Sequence, residues 1–197
     1  MTVVTTRCRR QTVTVLFVDI VGFTTLIDGL DCHEVWHLQT DYFGTVSAVV
    51  CCAGGITEKY IGDAVMAVFG TGEGAMPDAA ATAVRAGMEV QDALRGRRLA
   101  GRFPVRTRAG IATGDVIVDL DATRAGGHWM VSGGVVSTAA RLQAYAPHDT
   151  LVVDAATRGA TDELIAYQEL PPVSLAGRSR PLDLWRALHP QRSCVPV

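Results

Sequence analysis

Two aspartates stand at the ends of strand-like runs, each close to a glycine. Asp19 comes near the end of residues 11–20 and is followed by Gly22-Phe23-Thr24; Asp63 lies in Gly62-Asp63 between two short apolar runs, in the spacing Lys59-x-x-Gly-Asp. Two convergent carboxylates beside a glycine turn form a hard oxygen site of the kind Mg2+ or Mn2+ takes. The backbone N–H groups of Gly22, Phe23 and Thr24, pointing into a helix start, suit phosphate oxygens. A third element is GGVVSTAARL, residues 133–142, in which small residues allow close packing and Arg141 lies one turn after Ser137 on the same face. An arginine projecting from such a helix can stabilise charge on a phosphoryl group in transfer.

The elements that must position these groups are legible from periodicity and turn residues. Residues 11–20 read as a buried strand after a polar leader over residues 1–10. Residues 31–52 carry apolar side chains at helical spacing (Val35, Trp36, Tyr42, Phe43, Val46, Val49, Val50), and Gly54-Gly55 stops them. Residues 56–61 and 64–69 flank Gly62-Asp63 as a hairpin, and Pro77 opens an Ala-rich helix to about Leu99. Residues 105–113 and 115–120 read as a strand pair around Gly114, 133–145 as a helix ended by Pro147, and 150–153 as a strand followed by a helical turn or two. Pro171-Pro172 and Gly177 punctuate the tail, and residues 181–188 form a last strand. The order β-α-β-β-α-β is the ferredoxin-like plan, an α+β fold with helices on one face of a mainly antiparallel sheet and peripheral strands and helices added. In such a unit Asp19 and Asp63 sit on strands that lie close together.

The 197 residues suffice for one domain of ordinary size. With 48% apolar and 19% charged residues a packed core is expected and disorder is not. Eighteen basic against 20 acidic residues argue against nucleic-acid binding by bulk charge. No apolar run reaches the roughly 18 residues of a membrane span, and no signal peptide is read. The five cysteines (Cys8, Cys32, Cys51, Cys52, Cys194) are odd in number and contain no CxxC pair, which fits reduced thiols in the cytoplasm. Lys59 is the only lysine.

Four segments together resemble one family, the class III adenylate/guanylate cyclase catalytic domain: FVDIVGFT (17–24), EKYIGDAVMAVFG (58–70), RTRAGIATGDV (106–116) and GGVVSTAARLQAYA (133–146). AGRSRPLDLWRAL in the tail matches more loosely. The resemblance divides the chain into a leader (1–10), the catalytic domain (11–190) and a tail (191–197), with no sensor domain or membrane anchor in these residues. It implies a cytoplasmic adenylate cyclase that makes 3′,5′-cyclic AMP and pyrophosphate from ATP with two divalent cations, Mg2+ or Mn2+. It further implies a head-to-tail homodimer with sites shared between chains.

The resemblance also implies residue roles. Asp19, Asp63 and the Ile20 carbonyl hold the metals; the amides of Gly22, Phe23 and Thr24 hold the triphosphate; Lys59 hydrogen-bonds adenine; Arg108 contacts phosphate; Arg141 stabilises the transition state. Arg178 or Arg180 takes the tail's phosphate contact. Two positions depart from the family. Ser137 stands where most members have the ribose-orienting Asn, and Met130 stands where adenylate cyclases have an acceptor for the adenine amino group. Loss of one positioning donor costs about 10²–10³ in rate at an oxyanion-type site, so a weak or base-promiscuous cyclase is expected, the alternative being a nucleotide-binding homologue with impaired catalysis. His33-Glu34-Val35-Trp36-His37 fits the HExxH zinc pattern, with Glu58 as a third ligand. That remote alternative conflicts with Glu58 preceding Lys59 in a cyclase segment.

Overall fold

The computed structural model describes residues 8–71, 78–121, 131–173 and 181–189. Ten strands and five helices occur among them. The ferredoxin-like core runs β1 (Cys8–Ile20), α1 (Phe23–Ile27), α2 (Cys32–Cys52), β2 (Ile56–Ile61), β3 (Ala64–Phe69), α3 (Ala79–Leu94) and, after a small β4–β5 hairpin (Arg98–Leu99 and Phe103–Pro104), β6 (Thr107–Asp119). Then come β7 (Val131–Ser132), α4 (Gly134–Tyr145), β8 (Thr150–Asp154), α5 (Ala155–Gly159), β9 (Tyr167–Val173) and β10 (Leu182–Ala187). The main sheet has the order β2-β3-β1-β6-β8-β10-β9, with β7 added to β6. Among the described strands only β6 and β8 pair in parallel.

The hairpin has the expected bounds, and α2 starts one residue later than expected because Asp31 is its cap and not its first helical residue. Asp31 caps α2, its carboxylate accepting from the His33 and Glu34 amides while Glu34 reaches back to the Asp31 amide. This capping box closes two orphan N–H groups at once. In the hairpin turn Gly62 takes φ +65°, a conformation glycine reaches without a Cβ clash.

Alternation on β1 separates two cores. Leu16, Val18 and Ile20 face a cluster with Leu38, Tyr42 and Val46 of α2 and Val84 and Val90 of α3. Val13, Val15 and Phe17 face the other way, against Val135, Ala139 and Leu142 of α4. The two core helices therefore share one face, as the ferredoxin-like plan requires, and α4 covers the opposite face. Period-two alternation with both faces buried is what a central strand needs.

Four expectations are corrected. The strands expected on either side of Gly114 are one 13-residue strand, because β6 pairs with β1 along its whole length, Gly114 facing Val13. Central pairing holds a mid-strand glycine extended despite its turn propensity. For the same reason β1 begins at Cys8, three residues inside the expected leader. The helix expected to reach Leu99 ends at Leu94, and Leu99 pairs instead with Phe103. Tyr167–Val173, read only as punctuation, is a strand. It tolerates Pro171 and Pro172 because β9 is the sheet edge and its ladder with β10 is irregular there: Leu170 faces Leu184, Val173 faces Leu182, and neither proline has a register partner. Among the described residues no helix is long and apolar enough to cross a membrane.

Candidate active site

Asp19 sits at the end of β1 directly opposite Arg108 on β6, so the two side chains share the face covered by α4. The Arg108 guanidinium donates to Asp19 Oδ2 twice, from Nε at 3.1 Å and Nη2 at 2.8 Å. Its Nη1 donates to the Ala144 carbonyl at 3.2 Å. From α4, Gln143 Nε2 donates to the same Asp19 Oδ2 at 2.8 Å. Asp19 is only 8% exposed, and a carboxylate this buried persists because its oxygen is multiply hydrogen-bonded.

Asp63 arrives from the β2–β3 turn. The Ile20 amide donates to Asp63 Oδ2 at 3.2 Å, which ties the turn to the end of β1. Partial burial, with the hydrogen bond to and the charge of Asp19, pushes the Asp63 carboxyl up to about 7. Like charges in one small site raise a carboxyl in this way, and a bound cation relieves the same repulsion. The donor set is all oxygen (Asp19, Asp63 and the Ile20 carbonyl) and fits a hard divalent ion. Beneath it, Tyr42 of α2 is fully buried, and its hydroxyl has no hydrogen-bond partner among the described residues. Burial first, then the charges of Asp19 and Asp63, hold its proton on well above the usual tyrosine range. Beside the pair, Gly22 caps α1 without a side-chain bond, and the first helical return is from the Leu26 amide to the Gly22 carbonyl. The Gly22, Phe23 and Thr24 amides thus belong to the first turn, where no intrahelical acceptor exists.

Lys59 lies beyond a β-bulge: Thr57 faces Ala67 and Lys59 faces Met66, leaving Glu58 as the extra residue. A bulge re-aims neighbouring side chains. Glu58 is fully buried, and its carboxylate lies 3.1 Å from Lys59 Nζ. Ser137 and Arg141 stand one turn apart on α4, Ser137 exposed and Arg141 partly so. At 100° per residue Arg141 points about 200° away from Gln143, so α4 holds Asp19 with one face and presents Arg141 on the other. Met130, Arg178 and Arg180 lie outside the described residues.

The alternative zinc site does not assemble. Glu34 is engaged by the Asp31 amide and by an ion pair with Arg102, and Glu58 is buried against Lys59. Among the described residues the ligand atoms within 4.8 Å of one another belong to Asp31, Cys32 and His33, all exposed, and His37 is not with them. Two residues of the site escaped the sequence reading. Gln143 had a signal: it continues the apolar stripe Val135, Ala139, Leu142, where a polar residue is out of place. Tyr42 had none, since an aromatic on a core stripe reads as packing.

The chain belongs to the adenylate and guanylate cyclase catalytic domain family, whose model matches residues 6–185. It is 28% identical over 185 residues to Adenylate cyclase 1 of Rhizobium meliloti, covering 91% of this chain and 28% of that protein. An uncharacterized protein of the same organism is 32% identical over 183 residues, covering 91% of this chain and 17% of the relative. The chain thus spans less than a third of these curated relatives. Among solved structures, the guanylyl cyclase Cya2 superposes with TM-score 0.79 at 27% identity, covering 91% of this chain and 92% of that one. The adenylyl cyclase CyaB from P. aeruginosa superposes with TM-score 0.80 at 24% identity, covering 94% and 98%.

Proposed function

We propose that this domain is an adenylate cyclase, converting ATP to 3′,5′-cyclic AMP and pyrophosphate in the cytoplasm. The observation that carries the reading is the convergence of Asp19 and Asp63, with the Asp63 carboxyl pushed up to about 7. A site so arranged calls for a cation. Two divalent cations, Mg2+ or Mn2+, held by Asp19, Asp63 and the Ile20 carbonyl, would activate the 3′-hydroxyl and neutralise phosphate charge. The 3′-oxygen attacks the α-phosphorus and the bond to pyrophosphate breaks, so no side chain of this protein acts as nucleophile.

The chain's own groups position and stabilise. The Gly22, Phe23 and Thr24 amides receive phosphate oxygens. Lys59, steadied by Glu58, donates to the adenine ring. Arg141 stabilises charge on the transferring phosphoryl group, and Ser137 stands at the ribose. Because Arg141 and Gln143 face opposite ways on one helix, Arg141 does not serve the Asp19 of its own chain. It serves a second copy in a head-to-tail homodimer with two equivalent sites. Tyr60 and Ile61 beside Lys59, and Tyr145 at the end of α4, are exposed apolar residues that such a dimer would cover. Arg108, whose donors go to Asp19 and Ala144, takes the role of orienting a carboxylate rather than gripping phosphate. Ser137, shorter than asparagine, supports slow turnover. Met130 offers no acceptor to the adenine amino group, which supports measurable side activity with GTP.

The test is purified protein with each nucleoside triphosphate and Mn2+, products separated and identified, for wild type, Asp19→Ala and Asp63→Ala. Cyclic AMP should dominate and depend on added metal, and either substitution should abolish the metal-dependent turnover while leaving the fold intact. Near-wild-type activity in either variant would sink the two-metal reading.

A further inference from the structure

We infer that Gln143 is a positioning residue for the reaction: its side-chain amide fixes the orientation of the metal-binding carboxylate of Asp19. The inference rests on the reading of Asp19 as a metal ligand. Asp19 Oδ2 accepts three N–H groups, two from Arg108 and one from Gln143 Nε2 at 2.8 Å. An oxygen so occupied has its lone pairs committed, which leaves Oδ1, with the neighbouring Asp63, to serve a cation. Carboxylates that bind metals are themselves held by hydrogen bonds, and these outer partners set affinity by orienting the ligand.

The arrangement is built to be stiff. Gln143 is 7% exposed, so its amide is largely shielded from bulk water. The α4 backbone rests directly on β6 at Gly110, where even a Cβ would lie 2.6 Å from the Ala139 carbonyl and 2.8 Å from Gln143 Cα. Gly110 is two residues from Arg108 on the same face of β6, so both groups that hold Asp19 are referred to one strand. The chemical type also matters. Arg108 already brings a positive charge, and a second one would weaken the attraction of Asp19 for a metal ion. A neutral amide orients the carboxylate without competing for it. The buried polar side chain on the apolar stripe of α4 thus has a use that packing alone does not supply.

The experiment is titration of the intact protein with Mn2+ alone, free Mn2+ being read by electron paramagnetic resonance, in wild type, Gln143→Leu and Asp19→Asn. Asp19→Asn should lose most of the affinity. Gln143→Leu should raise the Mn2+ Kd about 10-fold, the lower end of what loss of an outer-shell partner costs. Its metal-free melting temperature should fall only modestly, since two Arg108 bonds still hold Asp19, and at saturating Mn2+ its KM for ATP should move less than its kcat. A Gln143→Leu Kd within 2-fold of wild type, with Asp19→Asn impaired, would overturn the inference and leave the metal reading standing. Unchanged affinity in Asp19→Asn would overturn the metal reading itself. Should the leucine variant misfold, the near-isosteric Gln143→Met is the variant on which the same comparison is decided.

Discussion

Asp63 keeps its proton to about pH 7 in the folded protein, against an ordinary carboxyl value of 3.8. The stability consequence has a definite sign. Between about pH 4 and 7 the folded state holds a proton that the unfolded state has released, so stability falls as pH rises through that window and levels off above it. The metal-free protein should therefore melt at a lower temperature at pH 8 than at pH 5.5, by an amount that solvent screening at the partly exposed Asp63 reduces. Asp63→Asn should flatten the profile, and added Mn2+ should stabilise wild type most above pH 7, where the carboxyl is free to bind it. Differential scanning calorimetry across the pH range decides this, and parallel profiles for wild type and Asp63→Asn would show that another group is responsible.

At the scale of elements, α4 joins what would otherwise be separate features. One face packs Val135, Ala139 and Leu142 into the second core and sets Gln143 on Asp19. The other carries Ser137 and Arg141. Its height above the sheet is set by Gly110, where a side chain would meet backbone that cannot rotate away. Gly110→Ala should cost about 1–3 kcal/mol by overpacking. In a domain of this size that lowers the melting temperature by roughly 2–12 °C. Catalysis should suffer more than stability, because a shift of the helix displaces Gln143 and Arg141 together. An unchanged melting temperature would show that α4 does not rest on β6 at this point.

At the scale of the whole molecule, the opposed faces of α4 lead to a prediction about assembly. Lys59→Ala and Arg141→Ala chains should each be nearly inactive alone. In a mixed dimer one site carries both lesions and the other carries neither. Activity should reappear on mixing, towards half the wild-type value per mixed dimer. Subunit exchange is followed by native mass spectrometry, and activity by cyclic nucleotide formed. No recovery, with exchange demonstrated, would count against a site shared between chains.

Much of this protein is determined locally. Glycine turn chemistry makes the hairpin Ile56–Ile61 and Ala64–Phe69 readable to the residue, and helical periodicity makes the helix Cys32–Cys52 readable to within one residue. Asp19 and Asp63 stand out in the sequence because one is an acid ending an apolar strand and the other an acid in a glycine hairpin turn. What tertiary structure alone decided lies at long separation. Gln143 and Asp19 are 124 residues apart and Arg108 and Asp19 are 89 apart, and no short-range pattern records such a contact. The unbroken course of β6 through Gly114 depends on its pairing with β1, and the strand at Pro171-Pro172 depends on lying at an edge. Which face of the sheet α4 covers was likewise open, since one amphipathic stripe suits either side. Propensity and periodicity act over a few residues, whereas the partners of a buried carboxylate are chosen by the packing of the whole sheet.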